Sequence, residues 1–480
     1  MTESRHGGMF TPFIKQCYVT ATVCMNVLSN GAAYGFPAIL LPQLKLPDSA
    51  IPITKSEESW IASIITIAIL VGNFSMPTIM NRLGRKRSHF IVMLPTALGW
   101  LLIMFATNVQ MIIIARCMQG ISFGQGVPIR AVIIGEYTSP KNRGAFLSLI
   151  AVAQTLGIFT VHLAGSLVSW KNTAAICIIF TTLSFLMTFA LPESPSWLAS
   201  RGRYDECTKH FEWLRGSEEN EELNELIEAR KNYKITKETS SKKISDVVTH
   251  AEFYKPIVIT LHMTLLMYVA GSMNLAVYGS TILSEIMGPN VDVHFWLVFL
   301  DVVRIITSFF AVFLMRTFKR RTVTFNSIGL CIAVHLAIVA HVSMIKYGIK
   351  VLDHVWVPAL LLNLQCFSVS SGIVPITSVI TGEMFSLEYR TTGISISTAI
   401  ATAFHFAILK TFPYLVSGVG IEGAYGMYAS VLGYCMIVMW YMMPETKGKT
   451  LQQIEDRFKG IDKTAAQTEL KPLNDIKVVI

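Results

Sequence analysis

Gly126 to Gly144 reads GVPIRAVIIGEYTSPKNRG, and the chain writes the pattern again from Pro375 to Arg390, as PITSVITGEMFSLEYR. Pro128, Glu136 and Arg143 are spaced eight and seven apart, and Pro375, Glu383 and Arg390 repeat both spacings 247 residues later. Val132, Ile133, Gly135 and Ser139 recur at the same offset as Val379, Ile380, Gly382 and Ser386. So large an offset excludes short-period solenoid arrays and points to two copies of one domain-sized unit. In each copy an apolar helix runs down to Gly-Glu, breaks in a polar turn and restarts after an Arg. The rest of the chain reads as two membrane halves built around these turns.

Composition agrees with that class. Of 480 residues, 52% are hydrophobic and 15% charged, and the mean hydropathy is +0.50. A soluble protein would carry roughly a quarter charged residues. The eight cysteines are scattered and form no CxxC pair, so neither a disulfide framework nor a zinc site is indicated. No cofactor or metal is expected. The net charge of +9 reflects membrane topology rather than a nucleic-acid partner. Met1 to Gln16 is polar and the first apolar run is too long for a signal-peptide core, so no cleaved leader is expected.

Twelve apolar stretches approach the roughly 20 residues that a bilayer crossing needs. They lie near Tyr18–Leu41, Ser59–Met80, His89–Ala106, Gln110–Ile134, Ala145–Val168 and Thr173–Leu191, then Lys255–Met287, Val293–Leu314, Val323–Ile345, Val355–Ile380, Thr391–Val416 and Ala424–Met443. In lipid every backbone polar group needs an internal partner, so helices are the natural reading. The expected fold class is an all-α membrane protein with twelve transmembrane helices in two six-helix halves. An N-terminal tail (1–17) precedes the first half (18–191), a charged linker (192–254) leads to the second half (255–443), and a tail (444–480) ends the chain. Within the linker, EENEELNELIEARKNYK has helical periodicity with Leu223, Leu226 and Ile227 on one face. The tail's LQQIEDRF is a second short helical pattern.

Lys and Arg in the short loops set the orientation. Arg82, Arg85, Lys86 and Arg87 follow the second span, and Arg316, Lys319, Arg320 and Arg321 follow the eighth. Lys141, Arg143 and Arg390 lie on the same side, which is therefore cytoplasmic together with both termini.

NRLGRKR (Asn81–Arg87), Arg116-x3-Gly120-x3-Gly124, GEYTSPKNRG (Gly135–Gly144), PESPSWL (Pro192–Leu198), GEMFSLEYR (Gly382–Arg390) and PETKGKTL (Pro444–Leu451) occur in order, each at a loop or helix end. Together they resemble the sugar porter branch of the major facilitator superfamily, especially the animal facilitated trehalose and glucose transporters, over roughly Tyr18 to Phe458. The resemblance implies the major facilitator fold, a central solute cavity that opens alternately to either side, and a small-molecule substrate carried across a lipid bilayer. The plasma membrane is the expected location.

Glu136 and Glu383 fall near helix C-termini, where the helix dipole disfavours a carboxylate, so they need cationic partners. Arg143, Arg390 and the basic residues of the two long cationic loops, among them Arg85 and Arg320, are available. The resemblance places these groups, with Glu193 and Glu445 of the two Pro-Glu motifs, in an inner gate that ties the halves together when the cavity faces out. The alternative is that they only cap helix ends and fix topology. In the second cationic loop Met315 and Phe318 replace an acidic residue and a glycine of the family pattern, which predicts a differently shaped loop.

The solute-facing positions depart further from the resemblance. Sugar porters carry a Gln-Gln pair six residues before an Asn in helix seven. Here Asn274 and Tyr278 are present, but the pair reads Tyr268-Val269. Ser378 stands at the family's helix-ten Trp, Ala401-Thr402 at an Asn-Trp pair, and Thr155 beside Gln154 at a helix-five Gln. Candidate solute contacts are Gln154, Thr155, Asn274, Tyr278, Arg304, Ser378 and His405. Asp301 and Arg304 stand i,i+3 and can pair, either as cavity groups or as a bundle lock, whereas Arg130 has no evident local partner. Helix one carries no acid and has Pro37 where proton-coupled relatives place an Asp, which predicts uniport. Three functions remain: a facilitative carrier of trehalose or a hexose, a carrier of another, anionic or more apolar, organic solute, and a non-transporting sensor. No nucleophile–base constellation points to an enzyme.

Overall fold

The computed structural model describes residues 11–216, 219, 221–224, 226–228, 251–271, 273–288, 291–349, 354–385, 390–447 and 458. Over them the chain is helical. The first group comprises α1 (Pro12–Gly35), α2 (Pro37–Leu44), α3 (Lys55–Leu83), α4 (Arg85–Met104), α5 (Val109–Tyr137), α6 (Pro140–Leu167) and α7 (Trp170–Thr188). The linker helices α8 (Pro195–Ser200) and α9 (Tyr204–Arg215) follow. The second group comprises α10 (Ala251–Val269), α11 (Asn274–Met287), α12 (Val293–Thr317), α13 (Arg320–Lys346), α14 (Trp356–Ser368), α15 (Val374–Glu383) and α16 (Arg390–Met442). A π-helical turn, Val369–Ile373, joins α14 to α15.

Ten stretches among the described residues are long and apolar enough to cross a membrane. One of them, Gly393–Met442, contains the expected eleventh and twelfth spans, since α16 breaks at Gly420, whose φ is 77°. The α5 helix, read from the sequence as the fourth span, is 29 residues long and helical throughout. The chain is thus an all-α, multi-pass membrane protein.

Within each group the helices pack on one another, and the two groups meet where α3 faces α16, α6 faces α12 and α2 faces α11. Small residues permit the closest crossings. A Cβ on Gly120 or Gly124 would lie within 2.5 Å or 2.0 Å of the carbonyl oxygens of Ile65 or Ile69, so α3 and α5 touch backbone to backbone.

The helix ends follow two designs. On one face the N-cap side chains are local: Thr54 and Glu57 form a reciprocal capping box, Asn108 accepts from Met111 N–H at 2.9 Å, and Asp292 accepts from His294 and Phe295. On the opposite, basic face the starts of α4 and α13 are capped by carboxylates that arrive from distant segments. In the linker Leu223 is buried, and Leu226 and Ile227 pack on the same small core as Leu198 and Phe211, as the periodicity predicted. LQQIEDRF lies outside the described residues except for Phe458.

Candidate functional site

On the basic face the first half builds a compact charge cluster. Arg85 grips Glu136 with two parallel bonds, Nε to Oε2 and Nη2 to Oε1, both 2.8 Å. Fork-on-carboxylate geometry of this kind is the strongest ion-pair arrangement available to Arg. Ser194 donates its hydroxyl to Glu136 at 2.5 Å. Glu193 accepts the backbone N–H groups of Arg85 (2.6 Å), Lys86 (3.2 Å) and Ser194 (2.8 Å), and so caps α4. The chain can turn there because Gly84 has φ 89°, and any Cβ on it would strike the Glu193 carboxylate.

The second half repeats the device. Glu445 accepts from the backbone N–H of Arg320 at 3.0 Å and of Arg321 at 3.1 Å, capping α13. Arg85 donates to the Met80 carbonyl, and Arg320 donates to that of Met315. The second loop was expected to differ in shape, and locally it does: extended Phe318 and Lys319 replace the positive-φ glycine. The contacts survive because in each of them the partner of the Glu445 or Arg320 side chain is a backbone atom, which any residue supplies. Arg143 does not meet Glu136. Its Nη2 reaches the Thr138 carbonyl at 3.5 Å, and Arg85 takes the carboxylate instead, entering from α4 directly opposite. The side chains of Glu383 and Arg390 lie outside the described residues.

On the capped face the two groups of helices are joined. Ser59 Oγ donates to the Lys410 carbonyl at 2.6 Å, Lys410 Nζ sits 3.9 Å from the centre of the Trp60 ring, and Ser280 donates to the Ala38 carbonyl. Deeper in, Tyr34 Oη and His405 Nε2 are 2.6 Å apart, and His405 stacks on Tyr268 with centroids 4.1 Å apart. His162 Nδ1 meets Asp301 Oδ2 at 2.5 Å while Arg304 donates to Asp301 Oδ1 at 2.8 Å. His162 is 0% and Asp301 1% exposed. The other His162 nitrogen faces the Gly35 carbonyl at 3.2 Å. These inter-group contacts cluster from mid-membrane to the capped face, and no hydrogen bond among the described residues joins the groups at the basic face.

The expected solute contacts scatter. His405 and Arg304 belong to the seam just described. Tyr278 is buried in the second half, with its hydroxyl on the Leu409 carbonyl at 3.0 Å and its ring on Phe412. Asn274 lines a cavity of about 10 Å³, room for one water, with His335, Gln365, Tyr425 and Tyr428. Its amide makes no well-formed hydrogen bond. Thr155 bonds back to Ala151 O at 3.1 Å, Gln154 is half-buried with its carbonyl against Gly31, and Ser378 is exposed. The Asp301–Arg304 pair was legible as i,i+3. Its partner His162 was not, because 139 residues separate the two.

A family model described as "Sugar (and other) transporter" matches residues 10–458. The chain belongs to that family. The facilitated trehalose transporter Tret1 of Bombyx mori is 28% identical over 454 residues, covering 94% of this chain and 87% of its own. That of Apis mellifera ligustica is 26% identical over 465 residues, covering 96% and 92%. Among solved structures, the inward open xylose transporter XylE from E. coli superposes with a TM-score of 0.73 at 16% identity, over 93% of this chain and all of that one. The proton:xylose symporter XylE bound to 6-bromo-6-deoxy-D-glucose gives 0.72. These structures establish the major facilitator fold. The family is one of transporters rather than enzymes, and no group of three or more His, Cys, Asp or Glu among the described residues could hold a metal.

Proposed function

We propose that this member of the sugar transporter family is a facilitative sugar carrier of the plasma membrane, with both termini cytoplasmic, working by alternating access between two six-helix halves, 18–191 and 255–443, with twelve spans in all. One observation carries the reading: the halves are hydrogen-bonded to each other from mid-membrane to the capped face, while at the basic face each half keeps its own closed cap cluster. Among the described residues the halves are thus bonded to each other on one side only, which supports a protein caught in one half of a transport cycle. Trehalose or a hexose is the proposed solute, supported by the Tret1 relatives. Gln154, Thr155, Ser378 and His405 are the proposed contacts on the path, with Asn274 and Tyr278 joining them once the second half rearranges. The inner gate comprises Arg85, Glu136, Glu193, Arg320 and Glu445, with Arg143, Glu383 and Arg390.

A second reading, an anionic organic solute, is favoured by one specific observation: Tyr268 and Val269 replace the glutamine pair, and Tyr268 is stacked on His405 in the path. Sites that hydrogen-bond sugar hydroxyls reject analogues lacking them, and a site without such amides loses that discrimination. The experiment is uptake of labelled trehalose, glucose and organic anions into proteoliposomes, with a solute gradient alone setting the steady state. Concentrative uptake driven by an imposed pH gradient would overturn the facilitative part.

A further inference from the structure

Two arginines stand inside α5, and the structure treats them differently. Arg116, fully buried, donates to the Ala33 and Ile61 carbonyls and to Gln119 Oε1 at 3.0 Å, which leaves only its Nη2 without a partner. An arginine kept for architecture finds acceptors in this way. Arg130 finds none. Among the described residues it makes no hydrogen bond or ion pair: its Nη1 is buried without a partner, the residue as a whole is only half-buried, and its Cζ lies 5.6 Å from the centre of the Phe123 ring. A guanidinium offers five N–H donors, and an uncompensated charge at this depth in a membrane helix is expensive to hold.

The direction of the side chain excludes simple snorkelling. Arg130 lies seven residues from the α5 end at Tyr137, so the basic-face water is about 10 Å along the axis. Snorkelling would carry the charge that way. The guanidinium instead lies back over Phe123, two turns in the opposite direction. Phe123 touches Tyr34 at 5.8 Å between centroids, Tyr34 bonds His405, and His405 stacks on Tyr268. The cation therefore stands beneath the aromatic plug that closes the seam between the halves. Beside it, Val127 is 39% exposed, so this face of α5 is open. Arg304, the other candidate cation, already belongs to Asp301.

We propose that the carried solute is a small organic anion whose carboxylate is met by the Arg130 fork and whose body lies against the Tyr34–His405–Tyr268 plug. The proposal rests on the carrier reading in its second, anionic form rather than on trehalose or a hexose as solute, and it narrows that class to carboxylates with either a sugar or a flat apolar body. Arg is suited to the task because its planar fork matches a carboxylate and stacks on aromatic faces.

The test uses the full chain in liposomes, with glucuronate, benzoate and glucose as probes. A carrier moving one negative charge should accumulate its solute about 50-fold for 100 mV of interior-positive potential, whereas a neutral sugar should not respond. We expect saturable, potential-driven uptake of glucuronate or benzoate, and the better of the two identifies the body. Arg130→Gln should lower that uptake about 10- to 100-fold at unchanged melting temperature, while Arg130→Lys, which keeps the charge, should retain part of it. Glucose uptake indifferent to Arg130→Gln, with no competition by either anion, overturns the proposal and leaves the carrier reading intact. If no solute crosses, the carrier reading fails, and binding alone decides the anion site. Stabilisation of purified protein by millimolar glucuronate or benzoate, abolished in Arg130→Gln, supports it, and no stabilisation refutes it.

Discussion

Replacing His162 by Ala should unlock the capped face. The His162–Asp301 contact crosses from α6 to α12 and exists only while those helices are together, whereas Asp301–Arg304 lies within α12 and persists in any arrangement. His162→Ala therefore removes an interaction of one conformation and leaves Asp301 neutralised by Arg304. A hydrogen bond to a charged group contributes about 1.5–3 kcal/mol, and each 1.4 kcal/mol is tenfold in population. Because the pair is almost fully buried, little solvent screening reduces that figure. The balance should move about 10- to 150-fold toward the arrangement open at the capped face. The assay is labelling by a membrane-impermeant thiol reagent in a background freed of native cysteines. Ala38→Cys, sealed beneath Ser280 and 1% exposed, reports on the capped side, and Val127→Cys on the other. Labelling should rise at the first position and fall at the second. If both rates stay within twofold of the parent in well-folded protein, the contact does not latch the halves and the reasoning is wrong.

Asp301→Asn strands Arg304 without its carboxylate, so it should lower the melting temperature more than the double change Asp301→Asn with Arg304→Gln, since breaking a buried pair costs about 3–5 kcal/mol and deleting both partners costs less; thermal unfolding of the three proteins checks the order. Glu136→Gln forfeits the bidentate grip of Arg85, and on the inner-gate proposal it slows uptake and shifts labelling toward the basic side, as should Glu383→Gln; unchanged labelling in folded protein would reduce these residues to caps. Burial of Glu445 opposes ionisation, but the N–H groups of Lys447, Arg321 and Arg320 outweigh it and hold its carboxyl below the ordinary 4.5. A depressed folded value means that its stabilisation is complete above about pH 4.5 and fades as pH falls through the lower folded value. Melting curves between pH 6 and 3 should show a steeper loss for the parent than for Glu445→Gln.

The sequence alone determined the membrane class and the helical linker face, because hydropathy and 3.6-residue periodicity are local or counted properties of the chain. It also marked Glu136 and Glu383 as carboxylates needing partners and Asp301 with Arg304 as a pair, since helix dipoles and i,i+3 spacing act over one turn. Glu193 and Glu445 were picked out only by the family resemblance of their Pro-Glu motifs. The tertiary structure decided which partners those groups take. Arg85 rather than Arg143 holds Glu136, because α4 starts opposite the end of α5 and Arg143 turns to the Thr138 carbonyl. Asn274 and Tyr278 turn into the second half, since the backbone breaks at Gly271, φ 92°, and resets the helix phase just before them. His162 found Asp301, and Arg130 was left facing Phe123, through helix crossings more than a hundred residues apart in sequence or a rotamer choice two turns long. Contacts of that kind depend on how whole helices dock, and docking is set by close-approach positions such as Gly120 and Gly124 acting together, which no single stretch of sequence encodes.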